Sequence, residues 1–433
     1  MRWIITHVNE FFIAPLIPAV LMICGFYITA RLRFLYVTKF RYLIKALFSK
    51  NQKGKVSSFR AVTVALAGTL GVGNIIGVAS AICSGGPGAV FWMWVGAFLS
   101  MMIKYCEIVL AVKYRRTDSG RFFGGAMYYI KNRSAAVIFA LLCVGASFLL
   151  GNFMQMRALT DTVHAAFGIS PILIGITVSL LLYLCICKGF ERLSNITVVI
   201  IPFVCIAYIL FSIYVIIENL CYLPSMIFQI IKSAFCFKAV CGGAGGYSVL
   251  QAIRFGISRG LVTNESGCGT APMAHAEADV RHPVEQGFWG IFEVFADTIL
   301  LCTLSAFVIL ISFDKFSSLE GMELVIAAYS VSFGKAAGII LSVFITVFAF
   351  STLIGWSHYG KTSIAYLTDC KKIQKLYTIL YSFCCIPAIY VTSDALWTLT
   401  DITLGLMTLI NMFWIIKRFD EVRKMTDEYF ISL

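Results

Sequence analysis

Long stretches of this chain carry no Asp, Glu, Lys or Arg, and these stretches set its organisation. A helix that crosses a bilayer needs about 20 mostly apolar residues. The first candidate covers Phe11 to Ala30. It is too long for a signal-peptide core and lacks a small-residue cleavage site, so it is expected to remain as a helix. The run from Ala61 to Ile103 is interrupted by Gly85-Gly86-Pro87-Gly88, which predicts two helices joined by a tight turn. Further uncharged runs cover 134 to 156, 162 to 187, 193 to 217, 239 to 253, 298 to 313, 336 to 360, 376 to 393 and 402 to 416, giving eleven expected spans.

Two of these spans are interrupted by glycine. The second reads Ala67-Gly68-Thr69-Leu70-Gly71-Val72-Gly73-Asn74-Ile75-Ile76-Gly77. The seventh begins with Cys241-Gly242-Gly243-Ala244-Gly245-Gly246 and is followed by Thr263-Asn264-Glu265-Ser266-Gly267-Cys268-Gly269-Thr270. A single small residue in a membrane helix is usually explained by close helix packing. Such density predicts unwound backbone instead, and unwound backbone survives at bilayer depth only when buried in protein or lining a polar cavity. Amides freed at the start of a half-helix suit a carboxylate, and carbonyls freed at the end of the preceding half suit a small cation. The first break makes Gly71, Val72, Gly73 and Asn74 candidate substrate-binding residues. The second falls either at Gly242 to Gly246 or at Asn264 to Gly267, so Gly243, Gly245, Asn264 and Gly267 are its candidates.

The breaks also sort the chain. Counted from the second span, they fall in helices one and six of a ten-helix unit. Each therefore opens a half with an odd number of spans, and the halves must insert in opposite orientations. That is the layout of an inverted-repeat secondary transporter. The expected fold is an all-α polytopic membrane protein with an extra N-terminal helix in residues 1 to 33 and a basic loop at 34 to 59. A first five-helix repeat covers 60 to 217, a second 218 to 416, and a tail 417 to 433.

Composition agrees: 59% of residues are hydrophobic and only 13% charged, with a mean hydropathy of +0.86. Soluble chains carry about 25% charge, and disordered, collagenous or disulfide-stapled classes fit no better. The net charge of +13 does not mark a nucleic-acid face, because the bases fall between apolar spans. They report orientation. Residues 31 to 60 hold nine bases and no acid, and residues 113 to 133 hold six bases and one acid. The positive-inside rule therefore puts these loops and the C-terminal tail in the cytoplasm and the N-terminus outside, in a multi-pass plasma (inner) membrane protein. The 15 cysteines lie mostly inside apolar runs, with neither a disulfide framework nor a metal-ligand spacing. No phosphate-binding loop or HExxH motif appears, which argues against an ATP-driven pump or a membrane enzyme. No obligate protein partner is evident.

The residues at the breaks resemble the alanine or glycine:cation symporter family, also called the sodium:alanine symporters. The resemblance rests on Gly68 to Asn74, Gly85 to Trp94, Ala111 to Arg115, Gly124 to Tyr129, Arg259 to His275 and Phe350 to Ser357. It implies a leucine-transporter-like fold and sodium-driven uptake of a small neutral amino acid. Leu70-Gly71-Val72-Gly73-Asn74 is similar, more distantly, to a motif of the neurotransmitter:sodium symporters. That likeness implies carboxylate-binding amides at Val72 and Gly73, with the Asn74 side chain near the ligand. It also implies a sodium position made by Ala67, Leu70, Phe348, Ser351 and Thr352, with Trp356 walling the pocket. Within the second motif, Val262, Thr263, Ser266, Cys268 and Thr270 depart from the usual residues by small changes. Ile76 adds bulk beside the first break, where it disfavours larger substrates if it faces the pocket.

Charges inside spans are costly and are either paired or functional. Lys104 and Glu107, three apart, read as a structural pair. Glu293 and Asp297 share a helix face; they could hold a proton or cation, and pairing with Arg254 and Arg259 is favoured. Glu265 is the acid expected to matter to transport or gating. His275 reads as a satisfied helix-end histidine, and Asp401 has no evident partner. The expected function is sodium-coupled uptake of alanine or glycine by alternating access. The alternatives are a proton-coupled or altered-substrate transporter, or a non-transporting amino-acid sensor.

Overall fold

The computed structural model describes residues 14–47, 56–118, 121–235, 249–316, 318–391 and 393–432. The chain is built almost wholly of helices, and their surfaces identify the solvent. The helix Phe190–Glu218 exposes Val199, Phe203, Ile206 and Leu210, with Phe203 75% exposed. Its opposite face buries Ile201, Val204, Tyr208 and Ser212, with Tyr208 1% exposed. Both faces have helical periodicity, and the polar groups are on the inner one. Water would reject that arrangement, whereas a bilayer favours it. Among the described residues, six helices are long and apolar enough to cross a membrane, and five shorter apolar helices accompany them.

In chain order, α1 (Ala14–Arg31) leads to two short helices, α2 (Leu35–Thr38) and α3 (Phe40–Leu47). Helix α4 (Ser58–Thr69) begins where the Ser57 hydroxyl accepts the Arg60 amide at 3.2 Å. A 3-10 turn (Val72–Asn74) separates it from α5 (Ile76–Gly85). Helix α6 (Gly88–Lys113) follows, then a hairpin of β1 (Arg116–Asp118) and β2 (Arg121–Phe123), and α7 (Ala126–Tyr129). Helix α8 (Arg133–Phe148) runs through a π-helical segment (Leu149–Met154) into α9 (Gln155–Phe167). Next come α10 (Pro171–Ile186), α11 (Phe190–Glu218) and α12 (Leu223–Ala234).

The rest of the described chain opens with α13 (Val249–Asn264) and α14 (Pro272–His275). Helix α15 (Pro283–Val294) passes through a second π-helical segment (Phe295–Cys302) into α16 (Thr303–Phe316). It closes with α17 (Gly321–Phe333), α18 (Ala336–Leu367), α19 (Lys371–Phe383), α20 (Cys385–Ala388), α21 (Ser393–Lys417) and α22 (Phe419–Ile431).

The first break lies at Leu70 to Ile75, as the glycine run implies. The second follows Asn264, where Glu265, Gly267 and Gly269 all take positive φ (52°, 86° and 76°). Three left-handed residues within five end a right-handed helix. Gly242 to Gly246, including the candidates Gly243 and Gly245, lie outside the described residues.

Several expected span boundaries are corrected. The run 162 to 187 is not one helix: α9 ends at Phe167, Gly168 takes a left-handed φ of 67° at its C-cap, and Pro171 starts the next. Pro283–Val294 and Val249–Asn264 extend through Glu285, Glu293, Arg254 and Arg259, where uncharged runs had marked the ends. An uncharged run locates the apolar part of a span, but a helix continues through a charge that finds an internal partner.

Close approach of α18 to α4 is essential to the site. A methyl group added at Gly355 would meet the Gly68 amide nitrogen at 2.5 Å and the Ala67 carbonyl carbon at 3.0 Å. Only glycine lets those backbones come together.

Outside the spans, Glu277 follows α14 and is largely buried. Burial raises its pKa to about 8, against the opposing pull of Arg121 and Arg115. The folded protein therefore keeps a proton that the unfolded chain releases near the ordinary carboxylate value. Stability is expected to fall as pH rises from about 4.5 to about 8. Thermal melts of the purified protein should follow that slope, and Glu277→Gln should flatten it; an unchanged slope in the variant would assign it to other groups.

Candidate functional site

The two breaks face each other across the core, and side chains from α6, α9, α18, α21 and the second π-helical segment hold them. At the first, the Gly71 amide donates to Asn74 Oδ1 at 3.1 Å and the Val72 amide to Gln155 Oε1 at 3.2 Å. Asn74 Nδ2 donates to Asp297 Oδ1 at 2.7 Å, and Thr298 Oγ1 donates to Asp297 Oδ2 at 2.7 Å. Asn264 Nδ2 reaches Thr298 Oγ1 at 3.1 Å, while its Oδ1 accepts the Ser266 amide at 3.0 Å. Asn74, Asp297 and Asn264 thus form one buried polar chain joining both breaks through a π-helical segment. Gly73 lies against Thr263, the nearest neighbour a methyl there would meet, at 3.1 Å.

On the other side of the first break, Thr352 Oγ1 donates to the Leu70 carbonyl at 3.2 Å and the Phe348 carbonyl at 3.0 Å. Ser351 Oγ donates to the same Phe348 carbonyl at 2.7 Å. With Ala67 brought alongside Gly355, all five residues of the candidate ion position converge where α4 ends. They offer hard oxygen donors without a thiol or imidazole, a set that suits an alkali or alkaline-earth cation.

Glu265 is buried at the second break. Its Oε1 accepts from Trp356 Nε1 at 2.9 Å and its Oε2 from Thr270 Oγ1 at 2.6 Å. A central cavity of about 10 Å³, room for roughly one water centre, is enclosed by Gly71, Gly73, Gln155, Glu265 and Trp397 among others. Trp356 is not among its walls: the fully buried indole is occupied in holding Glu265, and Trp397 from α21 takes the wall position instead.

Above this cavity opens a vestibule of about 630 Å³ that reaches down to Val72 and Ile76. Trp397 lines both spaces. The Arg259 guanidinium lies 4.0 Å from the Trp397 ring centroid and 3.7 Å from Asp401 Oδ1. A cation-π contact and an ion pair thus form a thin partition between vestibule and centre. Ile76 faces the vestibule, so its bulk narrows the approach. At the opposite end of the molecule a separate cavity of about 580 Å³ lies among Tyr114, Tyr128, Lys131 and Arg418.

The expected ion pairs are rearranged. Lys104 pairs with Glu293 at 3.4 Å, not with Glu107, and both side chains are fully buried. Glu107 instead accepts the Gly269 amide at 2.9 Å and the Asn411 side-chain amide, holding the second break. Glu293 also accepts from His275 Nε2 at 2.9 Å, and Gln286 Nε2 donates to His275 Nδ1 at 2.7 Å. His275 is therefore a satisfied helix-end residue, as expected. Neither Glu293 nor Asp297 pairs with Arg254 or Arg259: Arg259 takes Asp401, and Arg254 lies beside Phe255 at 5.4 Å. Helical spacing puts these acids on one face and both are buried, but which helix lies opposite is a tertiary fact. Gln155 and Asn411, absent from the sequence candidates, carry much of the site. An uncompensated amide inside an uncharged run was the available signal for both.

Paired broken helices with a buried polar chain between them define a membrane transporter of the cation-coupled class. The chain belongs to the sodium:alanine symporter family, whose sequence profile matches residues 1–432. It is 39% identical over 422 residues to an uncharacterized transporter of Haemophilus influenzae, covering 94% of this chain and 92% of that one. It is 34% identical over 448 residues to the sodium/alanine symporter AgcS of Methanococcus maripaludis (97% and 98% covered). It is also 33% identical over 429 residues to the "Probable sodium/glutamine symporter GlnT" of Bacillus subtilis (95% and 88%). Among solved structures, a sodium-coupled sialic acid symporter in its substrate-bound outward-open state shares the fold with a TM-score of 0.62 at 14% identity, covering 93% of this chain and 86% of that one. Mhp1, a nucleobase-cation-symport family transporter, gives 0.51 at 12% identity (81% and 75%). These relatives are transporters, in keeping with a role in transport and not in catalysis.

Proposed function

We propose that this protein couples inward sodium flow to uptake of a small neutral amino acid, alanine or glycine, by alternating access. The observation that carries the reading is the Thr352 hydroxyl within 3.2 Å of the Leu70 carbonyl, at the point where α4 stops and an amide-lined turn begins. Sodium would sit among Ala67, Leu70, Phe348, Ser351 and Thr352, and the substrate carboxylate at the amides of Val72 and Gly73. The Val72 amide now donates to Gln155, which holds the place of an oxygen ligand. Gly68, Gly71 and Gly73 among the residues lining the central cavity suit a small solute such as alanine or glycine. The name of the Bacillus relative keeps glutamine as the competing substrate.

Eleven spans arranged as one helix plus two inverted halves of five fit the order of the helices and the two breaks. With the basic loops cytoplasmic, the vestibule at Arg259 and Asp401 faces outward. With that partition closed, rocking of the broken helices would then open the cytoplasmic side. A potential of about 100 mV contributes about 2.3 kcal/mol per charge moved, enough for one sodium to support an appreciable gradient.

In proteoliposomes, labelled alanine should show saturable counterflow that an inward sodium gradient stimulates. Stimulation by a proton gradient alone would point to a different coupling ion, glutamine counterflow exceeding that of alanine to a different substrate, binding without counterflow to a sensor, and unsaturable conductance to a channel.

A further inference from the structure

Glu265 is the only ionisable side chain among the residues that enclose the central cavity. It is 1% exposed. None of the ion pairs among the described residues includes it; the ammonium of Lys104 is engaged by Glu293 at 3.4 Å. Burying a carboxylate without a paired cation is costly, and hydrogen bonds alone offset the cost only in part. Each of its oxygens is oriented by one neutral donor, Trp356 Nε1 at 2.9 Å and Thr270 Oγ1 at 2.6 Å. A carboxylate offers about four lone-pair sites, so about two remain for a further donor.

The backbone adds a second observation. Glu265 adopts φ 52°, although the left-handed positions after it are both glycine. A residue with a Cβ is disfavoured there, and such strain gathers at ligand sites. At this position the chain keeps a carboxylate where glycine would be free of strain.

We propose that Glu265 receives the α-ammonium of the transported amino acid, while the amides of the first break receive its carboxylate. This assignment rests on the amino-acid transport proposed above. The cavity then reads both ends of a zwitterion: a cationic-end acceptor from the second break and an anionic-end donor set from the first. Binding joins the two broken helices through the ligand and supplies the counter-charge that Glu265 lacks. A solute with a carboxylate and no ammonium leaves Glu265 uncompensated and is rejected.

The test compares alanine with propionate, which has the same carbon chain and no ammonium, as competitors for labelled alanine on the full-length protein at saturating sodium. In the wild type, propionate should compete at least about 100-fold more weakly than alanine. In Glu265→Gln, an isosteric change, the concentration of alanine for half-saturation should rise about 10- to 100-fold. The alanine-to-propionate ratio should collapse accordingly, while the sodium activation constant moves by less than about threefold. A ratio unchanged in the variant overturns the proposal. So does a retained ratio with sodium activation lost, which would make Glu265 an ion ligand, or with only the pH dependence lost, which would make it a proton site. If Glu265→Gln yields no folded protein, Trp356→Phe removes one orienting donor and should lower the ratio about fivefold; no change there overturns the assignment equally. A wild type without sodium-dependent alanine uptake would instead remove the transport reading itself.

Discussion

Thr352→Ala is expected to raise the sodium concentration for half-maximal uptake by about tenfold or more, a loss of about 1.4 kcal/mol or more. The substitution deletes the one hydroxyl that bridges the Leu70 and Phe348 carbonyls, at 3.2 and 3.0 Å. Alanine affinity at saturating sodium should stay within about threefold, because the amides of Val72 and Gly73 belong to the next turn of chain. Thr352→Ser keeps the oxygen and should remain near wild type. Uptake measured against sodium concentration distinguishes these outcomes. Unchanged sodium activation in Thr352→Ala would remove the ion assignment while leaving the fold intact.

Lys104→Met should destabilise the protein by about 3–5 kcal/mol, the usual cost of stranding one half of a buried ion pair. Lys104 and Glu293 are each fully buried on α6 and α15, and Glu293 also holds His275 at the end of α14. Without the ammonium, the fully buried Glu293 would keep only the imidazole as a partner. A large fall in melting temperature and in monodisperse yield after extraction is expected. The double variant Lys104→Met with Glu293→Gln should recover most of the loss, since the Gln carbonyl still accepts from His275 and no charge is stranded. A double variant as unstable as the single one would mean that shape, not charge, holds these helices together.

The first break was legible because Gly68, Gly71 and Gly73 weaken a helix by about 1 kcal/mol each at one place. The family motifs around it were legible for the same reason, since they are local strings. The second break was only half legible. Glycine clusters stood at both 242 to 246 and 264 to 267, and the left-handed turn at Glu265 belongs to a residue whose type does not announce it. The five residues of the candidate ion position could be named from resemblance, but their convergence depends on Gly355 meeting Gly68 across more than 280 positions of chain.

Ion pairing was the least legible. Lys104 and Glu107 stand one turn apart, yet each finds its partner on a distant helix: Lys104 on Glu293, Glu107 on Asn411 and the Gly269 amide. Trp356 was expected at the cavity wall, but its indole turns to Glu265 and Trp397 closes the cavity instead.

By itself the sequence determined the solvent in which this protein lives, the segments that enter it, the place where the first helix must open and the family to which it belongs. Each of those depends on the transfer or conformational free energy of single residues and their immediate neighbours, which add along the chain. Only the tertiary structure decided which carboxylate meets the buried ammonium, where the second helix opens and which tryptophan faces the cavity. Those outcomes follow from the angles and distances at which whole helices pack, and a buried charge or amide takes whichever partner that packing presents.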